Sequence, residues 1–378
     1  MENQAVSWKK VFIIAGAFCA FWIGSGVATG QEALQYAASN GAFKGIATTT
    51  LYSLFLIFMV YILYGVGQRE QFDNPYDVFE YYCGKYVGQI YIWFSVVLTY
   101  GIYVVMLAGS GAAIHQYYGI SANIGTYFVA ILALATAVLG IAKLLDIIGV
   151  IGPVKILFLS IIGIAALSTL AENPGILVVN SELIQSAGFE SVSSNWIWSA
   201  VLWALLGLIF GIAFFIINGQ TCQSVKEARI ASILGVCGVF VVNTLLIISE
   251  VVYLDTIRDQ QVPTLAIAKV VAPFLAMIFA PILILCIYSA VASLLLVVTR
   301  KFAVDKTKKF NLTAIGLTVV GMFAGTLLPF AKLVNIMYPL SGYAAIALMG
   351  FIIYKEFINK NAFPYKASGG ASVQNNAK

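Results

Sequence analysis

The sequence predicts an all-α integral membrane protein with ten transmembrane helices, and three observations carry that reading. Of its 378 residues 61% are apolar and only 10% are charged, whereas a soluble globular chain carries about a quarter charged residues. Apolar runs of roughly 20 residues, the length a helix needs to cross a bilayer, recur along nearly the whole chain. The ~10-residue alternation of a membrane barrel is not visible. Lysines and arginines gather in alternate connections between the runs, as orientation in a membrane requires.

The start, MENQAVSWKKVFIIAGAFCAFW, has too long an apolar stretch for a signal peptide. GAFC also puts Phe where cleavage needs a small residue, so this segment is read as the first span. The spans lie near 9–37, 43–67, 88–114, 123–142, 145–170, 196–219, 229–254, 271–299, 311–330 and 334–357. Pro263 and a short helical stretch fall in the connection before the eighth. EQFDNPYDVFE, at 70–80, reads as an amphipathic helix lying on the membrane and contributing to an inner gate. The residues after Phe363 are rich in Gly, Ser and Asn and are expected to be flexible.

With the N-terminus inside, sixteen lysines and arginines fall on the cytoplasmic side and four outside. This predicts a multi-pass protein of the cytoplasmic membrane with both termini inside. The net charge of +5 is therefore a matter of orientation and not of nucleic-acid affinity. The 171–195 connection has three glutamates and no Lys or Arg, as an outer loop should. It divides the chain into a first five-helix repeat (1–170) and a second (196–357), followed by a cytoplasmic flexible tail (358–378). Five is odd, so the second half must be inverted relative to the first, the plan of many secondary transporters. Five scattered cysteines without a CxxC pair, and one histidine, argue against a metal or redox centre, and no cofactor is implied.

Within the first span, FWIGSGVATG (21–30) places three glycines, a serine and a threonine near the middle of a membrane helix. A break there frees backbone groups that lipid cannot satisfy unless they line a cavity or bind something. Freed N–H groups suit a carboxylate, and freed carbonyls suit an ammonium or a cation. Close packing through small residues is the competing explanation. The inverted plan requires a matching defect in helix six, where Gly207 and Gly211 sit in LLGLIFGIAFFIINGQ. Helices one and six are therefore both expected to be broken at the midplane.

IGSGV at 23–27 resembles the first-helix motif of the amino acid–polyamine–organocation (APC) superfamily, whose members share the LeuT-like fold. The resemblance spans essentially the whole chain, including the polar loop at 68–87 and the basic KEAR after helix six, and is strongest to the YkvI-type membrane proteins. It implies that Ser25 and Gly26, beside Gly24, hold a substrate carboxylate while the Ile23 carbonyl faces its amino group. The superfamily's aromatic-Gly-Phe-Glu motif is absent from helix six. Counting back from KEAR puts Phe210 at the aromatic gate position and Ala213 near the expected unwound carbonyls, with Gly211 and Phe214 between and beside them.

Lys155, in LDIIGVIGPVKILFLSIIGIA, lies ten residues into the fifth span, about 15 Å deep. An ionisable residue at that depth is a functional hypothesis, against which stands snorkelling of the long side chain to the surface. Gly152 and Pro153 just before it would bend the helix around the amine. Lys155 resembles a helix-five lysine that some proton-coupled APC transporters carry where sodium-coupled relatives bind a cation. The resemblance implies that its amine bridges the broken helix one and the Ser289/Ser293 face of helix eight.

Glu32, with Gln31, lies one to two turns outside the break and is a candidate for binding a substrate amine or gating the outer vestibule. Tyr100 and Tyr103 sit mid-helix three, and Tyr103 is a candidate pocket residue. Tyr338–Pro339 marks an expected kink and His115 an expected surface position. A phosphate-binding GxxxxGK[ST] loop is absent, as are the clustered acids and histidines of a membrane enzyme. The function expected is non-enzymatic: secondary active transport of a small, amino-acid-like solute by alternating access, coupled to protons through Lys155. A sodium-coupled symporter using Ser289, Ser293 and helix-one carbonyls is the alternative, and a channel or sensor on the same scaffold is a third reading.

Overall fold

In a computed structural model, residues 6–363 are described, apart from 259, 261, 272, 328 and 329. The side chains of 25, 185, 273, 275, 276, 330–336 and 339 also lie outside the described set, and so does the predicted tail beyond Phe363.

Ten helical runs follow one another in the expected order. The first is interrupted: α1 (Trp8–Trp22), α2 (Ser25–Thr29) and α3 (Gln31–Tyr36) share one path. Then come α4 (Ala42–Glu70), α5 (Val78–Tyr118), α6 (Ala122–Ala137) and α7 (Ile141–Glu172). A short helix, α8 (Ile176–Ser186), fills the connection to α9 (Trp196–Thr221) and α10 (Val225–Val252). Two further short helices, α11 (Leu254–Ile257) and α12 (Pro263–Val271), precede α13 (Pro273–Phe302), α14 (Lys308–Ala324) and α15 (Phe330–Ile353). Seven of these helices, among the described residues, are long and apolar enough to cross a membrane individually. The remaining three runs are the interrupted first one and the shorter α6 and α14.

Two central helices, α9 and α13, are almost wholly enclosed: 94% and 89% of their most apolar windows are buried. The surrounding helices turn apolar side chains outward, such as Phe128 on α6, Leu157 on α7 and Leu312 on α14. Hydrophobic burial does not drive helices together in lipid, so close backbone approach and interhelical hydrogen bonds have to. One such close approach joins α1 to α7. A Cβ built on Gly16 would lie 2.2 Å from the Gly149 carbonyl oxygen, and one on Gly152 would lie 2.0 Å from the Gly16 carbonyl oxygen. These glycines let the two backbones touch.

Helix six is where expectation and structure part. α9 is continuous from Trp196 to Thr221, with no break at Gly207 or Gly211. Both glycines are sockets for aromatic rings, from α1 at Gly207 and from α9 and α1 at Gly211. A Cβ on Gly207 would sit 2.1 Å from the Trp22 ring, and one on Gly211 would sit 2.8 Å from Phe215 and 3.3 Å from Phe21. Gly207→Ala should therefore push Trp22 off its seat and cost about 1–3 kcal/mol, the usual range for overpacking. A lowered melting temperature of the purified protein would show it.

One further expectation is corrected. Residues 70–80 do not form a surface helix; Pro75–Asp77 is a 3₁₀ turn, and Tyr76, Phe79 and Tyr82 are buried. The following helix is interrupted at Gly84, whose φ of 75° suits glycine. The 171–195 loop contains α8, which caps α10: Asn180 Nδ2 donates to the carbonyls of Val251 and Val252 at 2.8 and 3.2 Å. At the end of the described residues, the Phe363 carbonyl accepts from Lys355 Nζ at 3.1 Å and its ring packs edge-on against Phe351.

Candidate functional site at the helix break

The break in the first run is two residues long. Ile23 has φ −78° and ψ 74°, the geometry of an inverse γ-turn, and Gly24 N donates to the Trp22 carbonyl at 2.9 Å. Gly24 is extended, with φ −86° and ψ −158°, and the chain turns helical again at Ser25. The side chain of Ser25 lies outside the described residues. A second interruption follows at Gly30, with φ 88°. The five-residue α2 is thus isolated between two glycine joints.

The last turn of α1 exposes carbonyls that a membrane interior cannot leave unpaired. Lys155 answers them. Its Nζ donates to the carbonyls of Ala20, Ile23 and Cys286, each at 2.6 Å, and the residue is fully buried. An ammonium has three donors, and all three are used. Its position at the C-terminal end of α1 also complements the helix dipole. The contact follows from the glycine crossing, because Gly152 fixes α7 against Gly16 and Lys155 lies one turn on along the same face. Lys155 sits about 20 Å along the helix from Ile141 and points inward, not snorkelling.

Ser289 Oγ lies within 3.0 Å of both the Ala20 and the Cys286 carbonyls, while Ser293 Oγ donates to the Ser289 carbonyl at 2.8 Å, one turn away from the lysine. Ser289→Ala should therefore cost only about 1 kcal/mol, since both carbonyls keep Lys155. A small fall in melting temperature, well below that for a change at Lys155, is the outcome to look for.

Aromatic layers close the break on both sides. Towards the basic end of the bundle, Phe21 stacks on Phe214 at 4.2 Å and packs against Phe210 at 6.0 Å. Towards the other end, Trp203 lies between Tyr52, at 4.3 Å, and Tyr36, at 5.5 Å. Its Nε1 donates to Glu32 Oε1 at 2.7 Å. The other Glu32 oxygen crowds Gly26, where a Cβ would be 2.4 Å from Oε2 and 3.2 Å from the Tyr338 hydroxyl. Carbonyls in the middle of α9 are tied laterally: Ser95 Oγ donates to Ile209 and Thr99 Oγ1 to Phe210, at 2.7 and 3.3 Å. Ala213 is buried in the same helix, one turn from Ile209.

Tyr103 faces α14. Its ring packs on Gly321 of α14 and stacks with Tyr100, whose hydroxyl donates to the Leu317 carbonyl at 2.8 Å. Met106, three residues on, faces Gly24 instead. His115 is exposed at the end of α5, as expected. The buried ionisable set is larger than Lys155 and Glu32. Glu227 accepts from the backbone N–H groups of Ser7 and Gln223, at 3.1 and 3.0 Å. Glu250 is fully buried on α10, with one oxygen against Gly30, and neither oxygen has a hydrogen-bond partner among the described residues. A lone acid inside LLIISEVV was the available signal, and its place near the end of a span disguised it.

An interrupted first helix with a buried lysine at its joint, a central α9 and ten runs in this order define an integral membrane protein of LeuT-like fold. No family model matches the chain. Two proteins of Bacillus subtilis (strain 168) are similar to it over nearly their full length. The uncharacterized protein YyaD is 24% identical over 358 residues, covering 93% of this chain and 97% of that one. The uncharacterized membrane protein YkvI is 21% identical over 371 residues, covering 94% and 97%. Among solved structures, a Na⁺-coupled sialic acid symporter in a substrate-bound outward-open state superposes with a TM-score of 0.67 at 12% identity, covering 94% of this chain and 80% of that one. A manganese transporter variant from Eremococcus coleocola gives 0.60 at 12% identity, covering 93% and 80%.

Proposed function

We propose that this protein is a secondary active transporter of the APC superfamily, carrying a small amino-acid-like solute across the cytoplasmic membrane with both termini inside. One observation carries the reading: the Lys155 ammonium occupies the helix-one break and consumes the carbonyls a sodium ion would need. The solved structures of similar fold belong to a Na⁺-coupled symporter and a manganese transporter. Here a fixed cation bridges α1, α7 and α13 at the joint, so coupling is assigned to a proton leaving and rejoining Lys155. Loss of that proton would release the joint and let α1 move against α13, which is the alternating step. The solute sits by Gly24, Ser25 and Gly26, between the Phe210/Phe214 layer and Glu32. Glu32, freed from Trp203, is the partner for its amine.

Counterflow in liposomes tests the class, because exchange against an outward solute gradient requires alternating access and a channel does not show it. The solute comes from a thermal-stability screen against amino acids, polyamines and organic acids, with and without sodium. Stabilisation only by sodium, with no counterflow of any stabilising solute, would overturn the proposal.

A further inference from the structure

At the basic end of the bundle, away from the break, a cavity of about 630 Å³ lies between α4, the start of α10 and the end of the last run. Four cations line it, Arg69, Arg229, Lys355 and Lys360, against two acids, Glu70 and Glu356. Glu356 is engaged, 3.6 Å from Arg69 and accepting from the Tyr82 hydroxyl at 3.2 Å. Lys355 points its amine at the Tyr81 and Phe363 carbonyls, at 2.5 and 3.1 Å. Arg229 differs from these. Its guanidinium carbon lies over Tyr61, 4.6 Å from the ring centroid, and its enclosed Nε has no hydrogen-bond partner among the described residues. Both it and Arg69 approach Gly65, whose missing side chain leaves room for the two guanidinium groups.

Two features at the mouth say what would enter. Residues Tyr354–Ile358, which carry Lys355, Glu356 and Phe357, form a π turn, an irregularity that often marks functional sites. It turns Phe357 outward to stack on Phe58 of α4 at 5.7 Å, and both rings are exposed on the apolar side of the bundle. The cavity thus has a cationic interior and an aromatic, lipid-facing lip. Basic pockets between membrane helices on the cytoplasmic side suit anionic lipid headgroups, and a guanidinium fork matches phosphate geometry.

We propose that this cavity holds the phosphate of an anionic phospholipid, gripped by Arg229 and Arg69, with its acyl chains lying over Phe58 and Phe357. The assignment does not depend on what the protein transports.

Native mass spectrometry of the purified full-length chain provides the test, with added phosphatidylglycerol, phosphatidylcholine or glycerol phosphate. The wild type should retain phosphatidylglycerol in preference to phosphatidylcholine. Arg229→Gln and Lys360→Gln should each weaken that preference about fivefold, as expected for one cation removed near a membrane surface. A Lys308→Gln, Lys309→Gln control, with two charges removed elsewhere at the same end, should leave it unchanged. Lys360 is exposed at the rim, so its variant stays informative if the Arg229 variant does not fold. Equal retention of the two lipids, preferences unchanged in both site variants, or glycerol phosphate binding as tightly as phosphatidylglycerol would each overturn the proposal.

Discussion

Lys155→Met is expected to abolish proton-driven transport while lowering stability by only about 1–3 kcal/mol. Methionine fills most of the lysine's volume but donates no hydrogen bond. The Ile23 carbonyl then loses the partner it has in the structure, and an orphaned buried acceptor costs about 1–3 kcal/mol. The single Ser289 hydroxyl proton still serves one of the Ala20 and Cys286 carbonyls, which limits the damage. Removing a buried charge also removes its desolvation penalty, which offsets part of the loss. Function and stability should therefore separate: a folded, monodisperse protein that still binds solute in a thermal-shift assay but no longer responds to a proton gradient. A protein that melts far lower and binds nothing would mean that the lysine is only a structural pin.

Gly152→Ala should be the more damaging change, although it adds one methyl group. The new Cβ would lie 2.0 Å from the Gly16 carbonyl oxygen and 2.8 Å from its Cα, so backbone meets backbone and no side chain can yield. The α1–α7 pair must separate, at a cost of roughly 3 kcal/mol or more, the upper part of the overpacking range. Lys155 moves away with its helix, so coupled transport should fall with stability. Gly316→Ala on α14 is the control: nothing lies within 4 Å of its Cβ position, and the substitution should be neutral or stabilising by up to about 1 kcal/mol. Melting curves of the two variants side by side would show whether the effect belongs to the crossing.

Ten spans were legible because lipid forces long apolar runs on the chain, and no tertiary contact can hide them. The break at Ile23–Gly24 was legible for the same reason, since a membrane helix has few uses for Gly-Ser-Gly at its centre. Gly207 and Gly211 show the limit of that logic. A glycine in a span can open the backbone or seat a neighbour's ring, and only the position of Trp22 and Phe21 decides between them. Lys155 announced itself as a lone cation in an apolar run, but its three acceptors come from two other helices. Tyr103 packs on Gly321 of α14, a neighbour that helical spacing alone does not single out. Glu250 and α8 were missed near span ends, where polar residues are commonplace.

Coupling of proton movement to transport by the lysine amine in the helix-one joint can be read from solute accumulation in proteoliposomes under imposed gradients. An inward proton gradient should drive accumulation in the wild type with or without sodium, and Lys155→Ala should lose this response entirely. Accumulation in Lys155→Ala that still collapses with the proton gradient as the wild type's does, or wild-type accumulation driven by a sodium gradient alone, would contradict it.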